Sequence, residues 1–257
     1  FRTVERSVLN PLSDAGKVAA KMTELGLADH VPKTYASVQD ALNAQPKADD
    51  LWFIRSQFRG ANDKALCLPT PIMAAATVPS GHLLQKAVDG LALIDQQKFT
   101  ARFYIVAVAG QFMCYQDSVV FIHGAAYAPN DANHASQVDN RSYRDTGSHI
   151  KLVPGSQTLH AAPLAEAAKA LTADMTDLLD EVRQATVAGA SEEKAFAILA
   201  LDTLLTKSGD LRLLRIHTFP NFITTAQIDA DVHVPLFEDV LRVMAGISSR
   251  KLVTITD

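Results

Sequence analysis

Three residues in the last quarter of the chain have the types and spacing for metal or acid–base chemistry. Residues 201–222, LDTLLTKSGDLRLLRIHTFPNF, are typical of two β-strands joined by a turn at Gly209. Asp202 lies on the first strand, and Arg215 and His217 lie on the second. A carboxylate on the second strand would complete a magnesium site with Asp202, because Mg²⁺ prefers oxygen ligands. The second strand carries a cation instead, and a guanidinium has no lone pair to offer a metal.

Histidines suggest two alternative sites. His217 could act as a general base beside Asp202, but no nucleophile is evident, and a lone histidine at a strand end is more often a hydrogen-bonded structural residue. His123 and His134 with Asp131 have the residue types of a transition-metal site, but a third firm ligand is missing. The structural interpretation is therefore favoured for these histidines.

The elements that must position these residues are predicted from periodicity and turn signals. A helix over 14–26 has Asp14 as its N-cap and Gly26 as its stop. The further predicted elements are a strand at 31–37, a helix at 37–45, a hairpin over 51–68, a strand at 82–90, a β-rich run over 98–121 broken at Ala109-Gly110, a helix over 163–190 interrupted near 172–174, strands at 198–206 and 211–218, and a helix over 234–246. Arg59 and Lys64 in the hairpin loop could hold phosphate, although a solvated loop tip is the simpler explanation.

Composition limits the classes of partner and compartment. The chain has 257 residues, 48% of them hydrophobic, and a net charge of -4, which gives no long-range attraction to nucleic acid. No apolar run approaches the roughly 20 residues of a membrane-spanning helix, so no membrane insertion is predicted. Cys67 and Cys114 lie in apolar surroundings and are expected to be free thiols of a reducing compartment. A start at Phe1 fits a removed targeting segment, which favours the mitochondrial interior. The alternative is cytoskeleton-associated cytoplasm.

One part of the sequence resembles a known enzyme family. Residues 83–110, LLQKAVDGLALIDQQKFTARFYIVAVAG, resemble tubulin-tyrosine-ligase-like ATP-grasp ligases, in which a Gln-Lys strand precedes Lys-Phe-Asp-x-Arg-x-Tyr and a long strand. The order and spacing of motifs are similar over residues 12–246; the further matching segments are VPKTYAS (31–37), LWFIRSQFRG (51–60), HASQ (134–137) and the strand pair in 201–222. The resemblance implies an α+β fold of the ATP-grasp type, with antiparallel sheets, flanking helices and two subdomains, 1–80 and 81–257.

The resemblance also implies a nucleotide site. In such ligases ATP lies between two antiparallel sheets and phosphorylates a carboxylate, which an amine then attacks. The positions that match the family's nucleotide-binding motifs are Arg55, Gln85, Lys86, Lys98, Arg102, His134 and Asp202. Among these, Asp202 matches one metal ligand.

Departures from the family pattern concentrate at the chemistry. Arg55 replaces the nucleotide lysine, Thr100 replaces the aspartate of Lys-Phe-Asp, and Phe121 stands where the substrate arginine is expected. The loop's Thr-Asn is Ser-Gln here, at 136–137. Arg215 and His217 replace the glutamate and asparagine of the family's Leu-Glu-Val-Asn, so a bridging carboxylate and an amide oxygen are both lost.

These departures favour a catalytically degenerate member that serves as a structural or binding subunit of a larger protein assembly, with no cofactor expected. Two alternatives remain: an ATP-dependent ligase that adds an amino acid to a protein carboxylate through atypical ligands, and a regulatory protein that binds ATP without magnesium through Gln85, Lys86, Lys98 and Arg102. Two structural expectations follow. Asp202 should pair with Arg215 across the strands, and the polar segment 128–160 should contact other protein subunits.

Overall fold

The computed structural model of the chain describes residues 2–58, 66–138, 150–187, 195–222 and 224–255, with the backbone alone for residues 134 and 135. The strands are β1 (Arg2–Thr3), β2 (Thr34–Tyr35), β3 (Leu51–Ser56), β4 (Leu66–Pro69), β5 (His82–Lys86), β6 (Gln97–Val108), β7 (Gln111–Tyr115), β8 (Val119–Ala126), β9 (Lys151–Pro154), β10 (Ala195–Leu205), β11 (Leu211–His217) and β12 (Leu252–Ile255). The helices are α1 (Arg6–Ser13), α2 (Ala15–Glu24), α3 (Val38–Asn43), α4 (Thr70–Met73), α5 (His134–Gln137), α6 (Ala161–Asp174), α7 (Asp180–Thr186), α8 (Ala226–Ile228) and α9 (Val234–Met244), with a π-helical turn at Asp229–His233 between the last two.

Two β-sheets flanked by helices confirm the predicted α+β fold class, whereas its ATP-grasp identity stays a prediction. The smaller sheet has the strand order β2-β5-β3-β4, and each neighbouring pair is antiparallel. The predicted hairpin of β3 and β4 is confirmed, and its loop residues Arg59 and Lys64 lie outside the described residues. Because β5 belongs to this sheet, the sheet extends past residue 80 to Lys86. The two predicted subdomains stay a prediction.

The larger sheet is built around β6 and β10. Its described strands follow the path β1-β10-β6-β7-β12, with β11 on β10, β8 on β6 and β9 on β8. Among these described strands only β1 and β10 pair in parallel, so this sheet is mixed and the expectation that both sheets are antiparallel is wrong for this pair. The break predicted in the β-rich run is confirmed as a two-residue turn, in which Ala109 and Gly110 have φ values of 50° and 77°. Positive φ at both positions is typical of a type I′ hairpin turn.

Strand β6 is buried on both faces, which divides the core into two layers. Phe103, Ile105 and Ala107 point into a cluster that contains residues of α2, α6 and α7. Tyr104 and Val106 point the other way, into a cluster that contains Ile228, Val232, Leu236 and Val240 of the last helical segment. The alternation follows from the two-residue period of a strand. The charged side chains of Lys98 and Arg102 on this strand are therefore buried.

Helix boundaries agree with the sequence signals. The Asp14 side chain accepts hydrogen bonds from the backbone N–H groups of Gly16 at 2.9 Å and Lys17 at 3.2 Å, as expected of an N-cap. The predicted interruption of the 163–190 helix is confirmed, because α6 and α7 are separate helices. Within the described ranges, none of the helices is both long and apolar enough to cross a bilayer.

The segment 128–160 is held by its own chain wherever it is described. Strand β9 pairs with β8, its Leu152 is buried in the core, and the Gln137 side chain donates to the carbonyl oxygen of Ala128 at 2.7 Å. These parts of the segment therefore pack on the protein's own core. Its centre, residues 139–149, lies outside the described residues. The predicted contact with other subunits stays a prediction.

Candidate functional site

Asp202 is the centre of a polar network on the larger sheet. The Arg102 guanidinium binds it in a two-point arrangement, with Nε 2.7 Å from Oδ1 and Nη2 2.9 Å from Oδ2. His217 Nε2 lies 2.6 Å from the same Oδ2 and 3.2 Å from Arg102 Nη2. The Arg102 and His217 side chains are buried, and the Asp202 side chain retains 19% of its exposure. Both carboxylate oxygens are therefore engaged by partners from the same chain.

Sheet register explains why these three residues meet. Strand β10 lies between β6 and β11, and its Asp202 is directly opposite Arg102 of β6. On the other side, Asp202 is opposite Arg215 of β11, and Ala200, two residues earlier on β10, is opposite His217. Side chains opposite each other or two residues apart share one face of a sheet. The face is the one that also carries Tyr104, so the network continues a buried layer.

Asp202 and Arg102 each stabilise the charged form of the other. Burial by itself would raise the pKa of the Asp202 carboxyl, but Arg102 and His217 lower that pKa far below its ordinary range. Burial would lower the pKa of Arg102, and Asp202 raises it instead. Asp202 is therefore an anion throughout the physiological range, and its charge is neutralised inside the protein.

Arg215 does not make the contact expected from the sequence. Although Arg215 is the cross-strand neighbour of Asp202, the carboxylate oxygens are bonded to Arg102 and His217, and Arg215 Nη2 donates to the carbonyl oxygen of Ser56 at 3.1 Å. The prediction of an Asp202–Arg215 pair is wrong because the second neighbouring strand supplies a better-aligned guanidinium. Arg215 instead connects the larger sheet to the end of β3 in the smaller sheet.

The smaller sheet contributes a second polar group. Arg55 Nη1 donates to Gln85 Oε1 at 2.8 Å, and Gln85 Nε2 donates to Thr34 Oγ1 at 3.2 Å. Lys86 Nζ lies 2.8 Å from Asp50 Oδ1. The sequence-predicted residues Arg55, Gln85 and Lys86 thus lie on two neighbouring strands, and each one has a partner within the sheet.

Lys98 lies where the two sheets approach each other. Its buried Nζ donates to the carbonyl oxygen of Gln137 at 3.0 Å and lies 5.2 Å from the ring centroid of Phe53 and 5.8 Å from that of Tyr127. Burial lowers the pKa of the Lys98 ammonium to about 8. Among the described residues, the ion pairs do not include Lys98, so its charge rests on a carbonyl and two aromatic faces.

Of the remaining candidate metal ligands, only His123 and Asp131 are described with their side chains. The side chain of His134 lies outside the described part of the chain, and His123 is buried on β8. No group of three or more His, Cys, Asp or Glu side chains suited to a metal occurs among the described residues. Magnesium in particular does not suit the residues around Asp202, because the carboxylate oxygens are engaged and a guanidinium stands on the facing strand.

A second buried network lies on the same face and has little sequence signal. The Tyr104 hydroxyl lies 2.9 Å from His233 Nε2, and His233 Nδ1 lies 3.1 Å from Asp229 Oδ1. The ring of Phe222 stacks on Tyr104 with 5.7 Å between the ring centroids. Only the four-residue spacing of Asp229 and His233 hints at this contact. The Tyr104 partner lies 129 residues away in sequence.

No family model matches the chain, and no curated protein matches it significantly.

Proposed function

We propose that this chain is a non-catalytic relative of the tubulin-tyrosine-ligase-like ATP-grasp ligases and acts as a structural or binding subunit of a larger protein assembly. The observation that carries the proposal is the closure of Asp202 by Arg102 and His217. In the family pattern, the residue at the position of Asp202 is a metal ligand. Here the carboxylate oxygens of Asp202 are bonded to Arg102 and His217, which also neutralise its charge.

Electrostatics supports the loss of the metal. Two unit charges about 4 Å apart interact by roughly 4 kcal/mol at the effective dielectric of a protein surface, and a divalent ion doubles that value. A magnesium ion at Asp202 would displace the Arg102 or His217 bonds and would meet the positive charge of Arg215 on the next strand. Each of these changes opposes binding, so Mg²⁺-dependent chemistry at this position is disfavoured.

The two-sheet arrangement supports the family relationship. Arg215 bonds to Ser56 across the sheets, and Lys98 of the larger sheet lies over the ring of Phe53 in the smaller one. Among the positions that match the family's nucleotide motifs, Arg55 and Gln85 share the face of the smaller sheet that carries Phe53 and so lie on the side of Lys98, whereas Lys86 lies on the opposite face. The side chains of Arg55 and Gln85 are bonded to each other, and Lys98 is bonded to the backbone of Gln137. A folded scaffold can keep such residues after its chemistry is lost.

One observation favours a second candidate, nucleotide binding without magnesium. Lys98 is a buried cation whose described contacts include no carboxylate, and a buried charge without a counter-ion is costly. A phosphate group would supply the missing negative charge. This candidate predicts ATP binding that needs Lys98 and does not need Mg²⁺.

Calorimetric titration with ATP, in Mg²⁺ and in EDTA, separates these functions. The non-catalytic proposal predicts no Mg²⁺-dependent binding and no ATP turnover. Binding in EDTA that disappears in Lys98→Met, but persists in the exposed control Lys151→Met, would instead support the nucleotide-binding candidate. Mg²⁺-dependent turnover that is lost in Asp202→Asn would contradict the proposal and favour a ligase.

The assembly role needs a separate measurement. The native protein should sediment in a large complex rather than at its own mass of 27.7 kDa. Cross-linking should then identify which surface meets the neighbouring subunits, with the segment 128–160 as the expected contact. Recovery only as a free protein of its own mass would contradict the assembly role.

A further inference from the structure

Exposed apolar side chains are concentrated along one line of helix α9. Val234 is 52% exposed, Phe237 is 40% exposed and Leu241 is 64% exposed. Half-buried Met244 continues the line. The spacings of three, four and three residues bring these four side chains onto one stripe of an α-helix. We call Val234, Phe237, Leu241 and Met244 the outer stripe.

The protein's own core uses a different face of this helix. Leu236, Asp239 and Val240 are buried, and the two apolar residues pack in the cluster around Tyr104. Helix α9 thus has a second apolar stripe that stays largely exposed, although the Phe237 ring also packs on Phe222, with 4.8 Å between the ring centroids, and Met244 packs on the edge of the same core cluster. Single exposed apolar residues are ordinary on a protein surface, whereas a contiguous line of them marks an interaction site.

The outer stripe is complementary to itself. Residues 234 and 244 lie five positions before and after residue 239, and residues 237 and 241 lie two positions before and after it. An antiparallel copy of α9 related by a two-fold axis near residue 239 therefore brings Val234 against Met244 of the second copy and Phe237 against Leu241 of the second copy. Two-fold symmetry is the commonest arrangement in homo-oligomers, and it requires such self-complementarity.

Charges beside the stripe fit the same arrangement. Glu238 and Arg242 lie on α9 outside the stripe. At 1.5 Å of rise per residue, the antiparallel register puts Glu238 about 3 Å along the axis from Arg242 of the second copy. Each interface then contains two attractive contacts between Glu238 and Arg242 of the other copy, and one repulsive contact between the two Glu238 side chains. Among the described residues, Glu238 has only a distant partner, Arg250, at 4.0 Å. The Arg242 Nε donates to the Ser248 carbonyl oxygen at 2.8 Å.

We propose that the outer stripe is the interface of a two-fold homodimer of this chain, formed by antiparallel pairing of α9 with α9 of the second copy. The proposal does not depend on the proposed function, because α9 is remote in sequence from the nucleotide-motif positions and lies on an outer layer of the core. An eleven-residue helix is about 16 Å long. The interface is thus small, and association is expected to depend on concentration.

Sedimentation at low salt, over about 1 to 500 µM protein, tests the proposal. The wild-type chain is expected to shift from monomer to dimer. Leu241→Glu should weaken association by at least about tenfold, since it adds a charge at the centre of the apolar contact. Ile72→Glu on α4 is the matched control, because Ile72 is also an exposed apolar helical residue, at 57% exposure. It should dimerise like the wild type, and thermal unfolding should show that both variants fold.

Charge reversal tests whether the partner that binds the outer stripe is a second copy of this chain. Glu238→Arg alone and Arg242→Glu alone should each weaken self-association by about tenfold, because each creates four like charges along the flank. An equimolar mixture of the two variants should associate more tightly than either alone, since every arginine then meets a glutamate. A heterologous partner cannot produce this behaviour. A wild-type monomer at every concentration, equal effects of Leu241→Glu and Ile72→Glu, or a mixture no tighter than its components would overturn the proposal.

Discussion

Replacement of Arg102 by methionine tests whether the Asp202 network is structural. The change keeps most of the side-chain volume and removes both guanidinium bonds to Asp202. Breaking a buried ion pair by removing one partner costs about 3–5 kcal/mol, because an uncompensated charge remains. Asp202 keeps 19% of its side-chain exposure and keeps His217 as a partner, so the lower end of the range applies. We expect the free energy of unfolding to fall by about 3 kcal/mol.

Two further variants make this expectation specific. In the double variant Arg102→Met/Asp202→Leu no unpaired carboxylate remains, so about half of the lost stability should return. The control is Arg2→Met, which removes the exposed ion pair of Arg2 with Glu5 near the start of the chain. Exposed pairs contribute about 0–1 kcal/mol, so this change should have little effect.

Urea unfolding gives the required free energies, with two probes that report different parts of the molecule. Circular dichroism follows the helices and both sheets, whereas fluorescence follows Trp52, the one tryptophan of the chain, which is buried in the smaller sheet. If the two transitions coincide, a single free energy describes unfolding. A loss below about 1 kcal/mol in Arg102→Met, or an equal loss in the double variant, would refute the structural interpretation of the network.

Two further predictions concern buried titratable groups. Lys98→Met should stabilise the protein by about 1–2 kcal/mol at pH 7, since lowering the Lys98 pKa to about 8 costs about 3 kcal/mol and the lost contacts offset part of the gain. Because the unfolded state holds the Lys98 proton more tightly than the folded state, the stability of the wild type rises between pH 8 and about 10. Urea titrations should therefore show that the advantage of the variant shrinks over this pH range. Burial lowers the pKa of His233, so the unfolded state is protonated first and wild-type stability should decrease as the pH falls below about 6.5. His233→Gln should show a flatter thermal-stability profile between about pH 7 and 5, and an unchanged slope would contradict this assignment.

The sequence predicted the elements whose signals are local. The hairpin turn at Ala109-Gly110, the N-cap at Asp14 and the break between α6 and α7 all depend on neighbouring residues, and all three are confirmed. Strands β9 and β12 were missed because they have four residues each and little alternation of their own. Their pairing partners, β8 and β7, supply most of the order.

The sequence predicts only those contacts of the Asp202 network that join residues close together in the chain. The hairpin of β10 and β11 brings Asp202 and His217 to one face, as the two-residue period requires. The family resemblance places Arg102 at the nucleotide site, but no sequence signal pairs Arg102 with Asp202, because these residues are 100 positions apart and meet only through the order of strands in the sheet. A local rule pairs Asp202 with its hairpin neighbour Arg215. The sheet instead supplies a guanidinium from the other side.

Asp202 itself is accounted for without catalysis. A metal-binding carboxylate and a structural counter-ion look alike in a sequence, and they differ in what occupies the carboxylate oxygens. Arg102 lies on the central strand of a sheet that is buried on both faces, so its charge requires an anion close by. Asp202 is that anion, at 2.7 Å and 2.9 Å. Its presence therefore carries no argument for ligase activity, whereas a carboxylate in place of Arg215 would have carried one.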